Sequence, residues 1–521
     1  MPKKRTPSPR VRSPRPAAPA HRILMIASEM SPFARTGGLG EVLGSLPAAL
    51  GRLGVDVTVV LPHYGWPERV READRFTLTV GDYAREVALL EHDVADRVHA
   101  VFVDCPELYA RDGGLYGFGT DDYPDNARRF AFLARAALER SVRRGERPTV
   151  VHAHDWHAGL APVYLRTIYA RHPLLGGVPT VLTIHNLAYQ GVFDAGWLPR
   201  LDLDWSLFTI DRLEYWGRIS FLKAGVVFSD LVTTVSPTYA REIQTPAYGF
   251  GFEGILRTRR DDLVGILNGI DTERWNPAAD PYLPAPYDAT ALDEKVASKC
   301  ELLKAFDLAV DDTRLARPLV GMVTRLVEQK GFDLIADVSE RLAAMDATFV
   351  LLGSGARWLE DRWLGIAQRY PDRFRVRIGF DERLSHLIEA GSDVFLMPSR
   401  FEPCGLNQLY SLRYGTIPIV HATGGLADTV IPYNPRTGRG TGFVFTDYTA
   451  EGLLGAVEAA LRTFRDRRKW LELQARGMAE DHSWDASAAE YVKVYDRVVD
   501  GRRTARAERR AAGTSPKARP S

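Results

Sequence analysis

The feature that most constrains this chain is an alternation of short, nearly continuous apolar runs with glycine-rich or polar loops and helical stretches. It begins at residues 21–28 (HRILMIAS), passes through a glycine-rich loop at 29–40 (EMSPFARTGGLG) and a helix predicted over 41–53, and reaches a second run at 56–61 (DVTVVL). Apolar runs without polar alternation are strands covered on both faces, which implies a parallel sheet with helices on either side. Shorter strand-like runs (FTLTV, HAVFVD) fall between 62 and 130, and a helix is predicted to run through Arg140. The pattern returns at 149–152 and 180–184, and 221–228 (FLKAGVVF) and 231–236 (LVTTVS) continue the alternation. A second series starts at 319–324 and continues at 348–352, 374–378, 393–397 and 417–420. Between the two lies a Pro-rich passage, 276–286, that reads as a linker. Thr36-Gly37-Gly38-Leu39 in the first series is echoed by Thr423-Gly424-Gly425-Leu426 in the second. The predicted fold is therefore α/β: two Rossmann-like doubly wound domains facing each other, with the carboxyl ends of their strands lining a cleft.

The expected organisation is a basic disordered tail at 1–20, a first domain at 21–275 and a second at 276–485. A terminal helix at 486–500 and a second disordered basic tail at 501–521 follow. The net charge of +1 conceals this arrangement. Residues 1–20 carry six Lys/Arg and no acid, and 501–521 carry seven Lys/Arg and one Glu, so the body between them is net −11. A mildly acidic body is not a nucleic-acid-binding core. No run of eighteen apolar residues suggests a membrane span. Cys105, Cys300 and Cys404 stand far apart, which argues for a reducing compartment and against a disulfide framework or a cysteine metal site. The first twenty residues overlap with transit-peptide composition but lack an apolar secretory segment and are short for plastid import, so a bacterial cytoplasm is the expected location.

Candidate chemistry sits where predicted strands end. The stretch Pro398-Ser399-Arg400-Phe401-Glu402-Pro403-Cys404-Gly405-Leu406-Asn407-Gln408 joins an apolar strand to a helix predicted over 409–414. A helix start offers free N–H groups to phosphate, and Glu402 offers a carboxylate to sugar hydroxyls or to developing positive charge; capping the helix is its plainer use. Gly37 and Gly38 bring backbone close to a phosphate at the first strand-to-helix turn, or serve the turn alone, and Arg35 just before them favours an anion. The loop is not G-x-G-x-x-G and no acid ends the second strand, so a nicotinamide cofactor is disfavoured. His152, His154 and His157 invite a zinc reading, yet their spacing on a strand-to-helix turn points them apart and H-E-x-x-H is absent. Arg325 and Lys330 follow the first strand of the second series.

Taken together, these residues resemble the bacterial glycogen synthases and plant starch synthases, ADP-glucose-dependent retaining glycosyltransferases of the GT-B fold. The resemblance covers about residues 22–500 and rests on motifs in family order: Ser28-Glu29, Thr36 to Gly40, HAHDWHAG at 152–159, TIHNLAYQG at 183–191, SPTYARE at 236–242, and LNGID at 267–271. It continues through Arg325-Leu326 with Gln329-Lys330-Gly331, Pro398 to Gln408, and TGGLADTV at 423–430. It implies glucosyl transfer from ADP-glucose to the non-reducing end of an α-1,4-glucan such as glycogen, with retention of configuration and no metal or other cofactor. Arg325 and Lys330 would hold the donor diphosphate, Glu402 the donor glucose, and Cys404, Gly405 and Leu406 sugar or phosphate oxygens. His154 would stand beside the reacting carbon with Asp155 orienting its loop. Arg35, Gly37, Gly38, Thr423, Gly424 and Gly425 would complete the donor site, and Glu41, Asp125, Asn126, His185 and Asn186 would contact sugar or acceptor. The chain departs from the family in carrying Arg35 where a lysine contacts the donor, and Glu41 where an aspartate is usual. Tyr410 replaces the second Glu of the superfamily's E-x7-E pattern, as in the synthases themselves. A retaining transferase using another nucleotide sugar, supported by Arg35, and a catalytically weak glucan- or sugar-nucleotide-binding protein are the alternative readings. Oligomeric state is not readable from the sequence.

Overall fold

The structure, a computed structural model, describes residues 21–65, 70–118 and 121–513. The stretch 1–20 and the end 514–521, both read as basic tails, lie outside the described residues.

A nine-stranded sheet builds the first domain, in the order Leu263–Gly265, Leu231–Thr234, Thr180–Ile184, Val150–His154, Arg22–Ile26, Asp56–Pro62, Val98–Asp104, Tyr83–Ala95, Arg71–Val80. All pairings up to Val98–Asp104 are parallel, and the last two strands add an antiparallel edge. Alternate residues of the first strand face opposite cores. Leu24 and Ile26 pack toward Phe130 and Leu133, while Ile23 and Met25 pack toward Leu43 and Leu46. That two-sided burial is why the strand reads as continuously apolar. The second domain is a six-stranded parallel sheet in the order Phe374–Ile378, Thr348–Gly355, Leu319–Leu326, Val394–Met397, Ile417–His421, Phe443–Phe445.

The parallel part of each sheet reverses its order once, and the reversal positions the site. Arg22–Ile26 lies between Asp56–Pro62, which follows it in the chain, and Val150–His154, which comes much later. Leu319–Leu326 likewise lies between Thr348–Gly355 and Val394–Met397. At such a point the loops leaving neighbouring strand ends diverge to opposite faces and open a crevice. The four loops concerned are those carrying Thr36-Gly37-Gly38, Asp155-Trp156-His157, Gln329-Lys330 and Glu402.

Three expectations are corrected. The run 221–228 is not a strand but the helix Phe221–Phe228, whose start is capped by Ser220 Oγ accepting from Lys223 N at 3.1 Å. It is buried nearly all round, so its composition carries neither period. The short strand-like runs between 62 and 104 belong in part to two long strands, Arg71–Val80 and Tyr83–Ala95, whose outer faces are exposed. The C-terminal helix spans Trp484–Gly513, so it begins earlier than 486, and residues 501–513 are helical rather than part of a disordered tail. Trp484, Ala488, Tyr491, Val494, Tyr495 and Val498 form one apolar stripe that seats on the first domain, against Ile23, Met25 and Leu43. Beyond it, Ala and Arg are strong helix formers that continue the helix. No described helix is long and apolar enough to cross a membrane.

Tyr495 is fully buried and its hydroxyl meets His152 Nδ1 at 2.9 Å. Tyr495→Phe is expected to cost about 1–2 kcal/mol, because it strands a buried imidazole nitrogen, and Tyr495→Ala about 3–5 kcal/mol. Urea denaturation followed by fluorescence checks this; full stability of Tyr495→Ala would show that the terminal helix is not part of the first domain's core.

Candidate functional site

The two reversal points open on a single cleft of about 710 Å3, walled by both domains. On the second-domain wall, Glu402 is only 5 % exposed. Its Oε2 accepts from Lys330 Nζ at 2.5 Å and from Ser399 Oγ at 2.9 Å. The loops around it close on one another through hydrogen bonds to backbone carbonyls. Arg400 N donates to Gln329 O at 2.9 Å, and Asn407 Nδ2 to Val323 O at 2.8 Å. A Cβ at Gly331 would lie 2.0 Å from the Pro398 carbonyl oxygen, and one at Gly424 would lie 1.9 Å from that of Glu402. Both glycines also have positive φ, +73° and +45°, so two separate constraints demand glycine there. Cys404, Gly405 and Leu406 line the cleft with Arg325 and Lys330. Burial pushes the Cys404 thiol up to about 12, so it stays protonated. Arg325 is exposed at the end of its strand and, among the described residues, has no ion-pair partner.

Thr423, Gly424 and Gly425, expected to cradle phosphate, stand behind this wall. Gly425 N donates to the carbonyls of Glu402 and Pro403 at 3.1 and 3.2 Å. Thr423 Oγ1 and Gly424 N both donate to the carboxylate of Glu242, from the first domain, at 3.1 Å. Their donors are thus spent on buttressing the Glu402 loop and joining the domains.

The first-domain wall presents the start of helix Gly38–Arg52. Gly37 is extended there and no side chain caps the helix, so Gly37 and Gly38 line the cleft with uncapped N–H groups. Glu29, 3 % exposed, organises this loop by accepting from Thr36 N and Thr36 Oγ1, each at 2.7 Å, and from Tyr116 OH at 2.5 Å. Asp155, His185 and Asn186 are on the wall. Asp155 holds φ +55°, a left-handed backbone unusual for a non-glycine residue, and its Oδ1 accepts from His185 N at 2.7 Å. Burial pushes its carboxyl up to about 7.

His154 is not at the cleft surface. It is fully buried behind His185, Nδ1 facing His185 Nε2 at 3.0 Å, so its expected position on the cleft is corrected to one behind the wall. His157 is the histidine of that motif on the wall, stacked on Tyr116 with ring centroids 4.7 Å apart. Asp125 and Asn126 are also off the cleft. Asp125 is held by two bonds from Arg111 at 2.6 and 2.8 Å, while Asn126 donates to Tyr116 O at 2.8 Å and so supports the Tyr116 loop.

Arg35 and Glu41 form an ion cluster at the domain junction instead of lining the cleft. Arg35 pairs with Glu41 and lies 3.8 Å from Glu382 of the second domain. Arg274 pairs with Glu382 and stands 3.7 Å from Glu41. Nearby, Tyr410 stacks flat on Trp275 at 3.7 Å, and the other face of Trp275 carries His386 at 3.8 Å. Among the described residues, no group of three or more His, Cys, Asp or Glu is placed to hold a metal ion. The sequence reading did not single out Glu29, Tyr116, His157, Ser399 or Asn407 as site residues. Glu29 carried a signal, its place directly after the first strand; Tyr116 carried none.

The chain matches the starch synthase catalytic domain family over residues 22–258 and the glycosyl transferases group 1 family over 307–475. It is 50 % identical to the glycogen synthase of Anaeromyxobacter dehalogenans strain 2CP-C, over 91 % of this chain and 99 % of that one. It is 48 % identical to the glycogen synthase of Koribacter versatilis, over 91 % and 98 %. The catalytic domain of starch synthase IV from Arabidopsis thaliana, bound to ADP and acarbose, superposes with a TM-score of 0.85 at 37 % identity, covering 92 % of this chain and 99 % of that one.

Burial lowers His152 and His185 to about 3 and holds His154 and His157 well below the usual range. All four are neutral when folded but protonate near pH 6.5 when unfolded. Their contribution is complete above pH 6.5 and is lost as pH falls below it; Asp155, with a raised value, contributes oppositely and loses its share as pH rises through 7. Burial likewise lowers His421 and His482 and raises the carboxyls of Glu242 and Glu389; six imidazoles outweigh three carboxyls, so the urea midpoint should fall between pH 7 and 5. His152→Gln should flatten that slope by about one proton, or about 1.4 kcal/mol per pH unit. An unchanged slope would mean that His152 takes up a proton in the folded state.

Proposed function

The chain belongs to the glycogen and starch synthase family of glycosyltransferases, and we propose on that premise that it transfers glucose from ADP-glucose to the non-reducing end of an α-1,4-glucan with retention of configuration. The observation that carries the reading is the arrangement across the cleft: Glu402 pinned by Lys330 and Ser399 beside the cation Arg325, opposite the uncapped helix start at Gly37 and Gly38. A nucleoside diphosphate placed between these walls meets two side-chain cations and a helix dipole. As the anomeric carbon loses the diphosphate, Arg325, Lys330 and the helix start take the charge of the leaving ADP, while Glu402 faces the positive charge developing on the sugar. These groups provide the neutralisation a divalent ion would otherwise supply, so the transfer is read as metal-independent.

Retention follows from attack on the face the diphosphate leaves. The acceptor hydroxyl forms its bond to the anomeric carbon as the bond to phosphate breaks, and a phosphate oxygen takes the hydroxyl proton, leaving ADP protonated. Two of the other carboxylates on the wall are already engaged, Glu29 by Thr36 and Tyr116 and Asp155 by His185 N, and Asp122 stands exposed in solvent. His154 acts through His185 as a positioning residue, and Arg35 through the junction ion cluster. Three free cysteines suit the reducing bacterial cytoplasm proposed as its location.

Glu402→Gln should lower kcat by about 10²–10⁴ with little change in KM for ADP-glucose, because the group acts on charge present only in the transition state. Arg35→Lys should stay within about threefold of wild type, since either cation can pair with Glu41. Transfer of labelled glucose to glycogen from ADP-glucose and UDP-glucose in parallel measures both. Retention of more than a tenth of kcat by Glu402→Gln would remove Glu402 from the chemistry, and UDP-glucose preference would overturn the donor assignment.

A further inference from the structure

Beside the mouth of the cleft, on the first domain, two bulky aromatic residues stand in solvent on backbone that disfavours them. Trp216 is 83 % exposed with φ +52°, and Phe250 is 41 % exposed with φ +49°. Side chains of this size at positive φ cost stability, and an exposed indole recovers none of it by burial. Fold packing therefore does not account for Trp216, and Phe250 buries only part of its ring. The two turns lie side by side. A carbon at Gly251, next to Phe250, would lie 2.5 Å from Tyr215 OH and 3.8 Å from Trp216 Nε1. Tyr215 OH donates to Phe250 O at 2.8 Å, locking one turn to the other. Below them is a largely apolar hollow of about 500 Å3 bordered by Tyr215, Gly251 and Ile210, the last 82 % exposed.

This patch is continuous with the cleft. Gln190, which lines the cleft between Tyr189 and Gly191, donates to Phe250 O at 3.0 Å. The ring of Phe250 meets that of Phe401, the neighbour of Glu402, edge to face at 5.2 Å across the domain boundary. Tyr189, half exposed on the wall and next to Gln190 in the chain, adds a third exposed aromatic side chain to the surface that joins the cleft to Phe250 and Trp216.

We propose that Tyr189, Phe250 and Trp216 form a track that binds the acceptor α-glucan several glucose units away from the reacting end. The proposal rests on the glucan synthase reading above. Glucose rings carry apolar C–H faces that stack on aromatic faces, and their hydroxyls stay in water at the edges, so a set of exposed aromatic side chains suits a polysaccharide better than a dry protein interface. A polymeric acceptor entering the cleft must also leave it, and this surface begins at the wall and ends in solvent. Short acceptors would not reach Trp216.

Trp216→Gly tests the track directly, because glycine fits φ +52° and removes the ring without burying or exposing core. In native gels containing glycogen, retardation of Trp216→Gly should be about two- to tenfold weaker than wild type, the range of one aromatic stacking contact, and Trp216→Tyr should restore it. KM for glycogen should rise by the same factor, with KM for ADP-glucose and for maltotriose unchanged. Equal retardation and equal KM for glycogen in Trp216→Gly would overturn the track. So would a loss of self-association on sedimentation without weaker glycogen retardation, which would make the patch an interface between copies. If wild type transfers glucose to neither acceptor, the synthase reading fails, while gel retardation still decides the track.

Discussion

Everything at the centre of this molecule depends on keeping one carboxylate almost dry. Glu402 is sealed from water in a wall between two lobes, and a buried carboxylate is tolerated only when a charge and hydrogen-bond donors meet it. Lys330 and Ser399 meet it, and both must arrive from fixed directions. The glycines nearby follow from that requirement. Gly331 lets the lysine loop lie against Pro398, and Gly424 and Gly425 let a second loop lie against Glu402 and Cys404, each with a carbonyl where a side chain would otherwise sit. Three loops are thereby fastened backbone to backbone, and the carboxylate inherits their rigidity. Preorganisation of this kind lets charged groups act in a transition state without first having to reorient.

The second constraint is the docking of the lobes, since half of the cleft belongs to each. Two acidic residues cross the boundary in opposite directions. Asp428 of the second domain accepts from Ser236 Oγ, Thr238 N and Thr238 Oγ1 at 2.5–2.9 Å, at the start of the helix Pro237–Glu242. Glu242, at the other end of that helix, accepts from Gly424 N and Thr423 Oγ1 of the second domain. Burial raises the Glu242 carboxyl above its ordinary value, which marks this junction as partly dry. The Arg35–Glu41–Arg274–Glu382 cluster ties a second point, and Asn186 meets Gln329 at 3.4 Å across the cleft itself. The terminal helix then returns to the first domain and covers the sheet beneath the histidine motif. Residues that bind nothing themselves thus set the distance between residues that do.

Much of the architecture was legible because parallel strands buried on both faces leave unbroken apolar runs, and because the loops after them carried charged or glycine-rich motifs in a family order. Glu402, Lys330, Arg325, Gly37, Gly38, Asp155, His185 and Asn186 all reach the cleft for that reason. Sequence spacing fails where a side chain's direction matters. His154 and His157 lie three residues apart in one motif, yet the left-handed turn at Asp155 sends the first into the core and the second to the wall. Thr423-Gly424-Gly425 repeats the first glycine loop in composition, but an acid from the other domain occupies it. The helix Phe221–Phe228 is not marked in the sequence because burial nearly all round erases the periodicity that would have shown it.

By itself, the sequence determined the fold class, the two series of strands, the family and the kinds of chemical group available, since these depend on local pattern and on residue type. Only the tertiary structure decided which of those groups face one another. Strand order brought four loops from distant parts of the chain to two reversal points. Interdomain carboxylates set those points on a common cleft, and burial fixed which side chains are paired, neutral or exposed. These outcomes depend on contacts between residues far apart in the chain, where the free energy of burying a charge or leaving a donor unmet is settled by the partner and not by the residue's own identity.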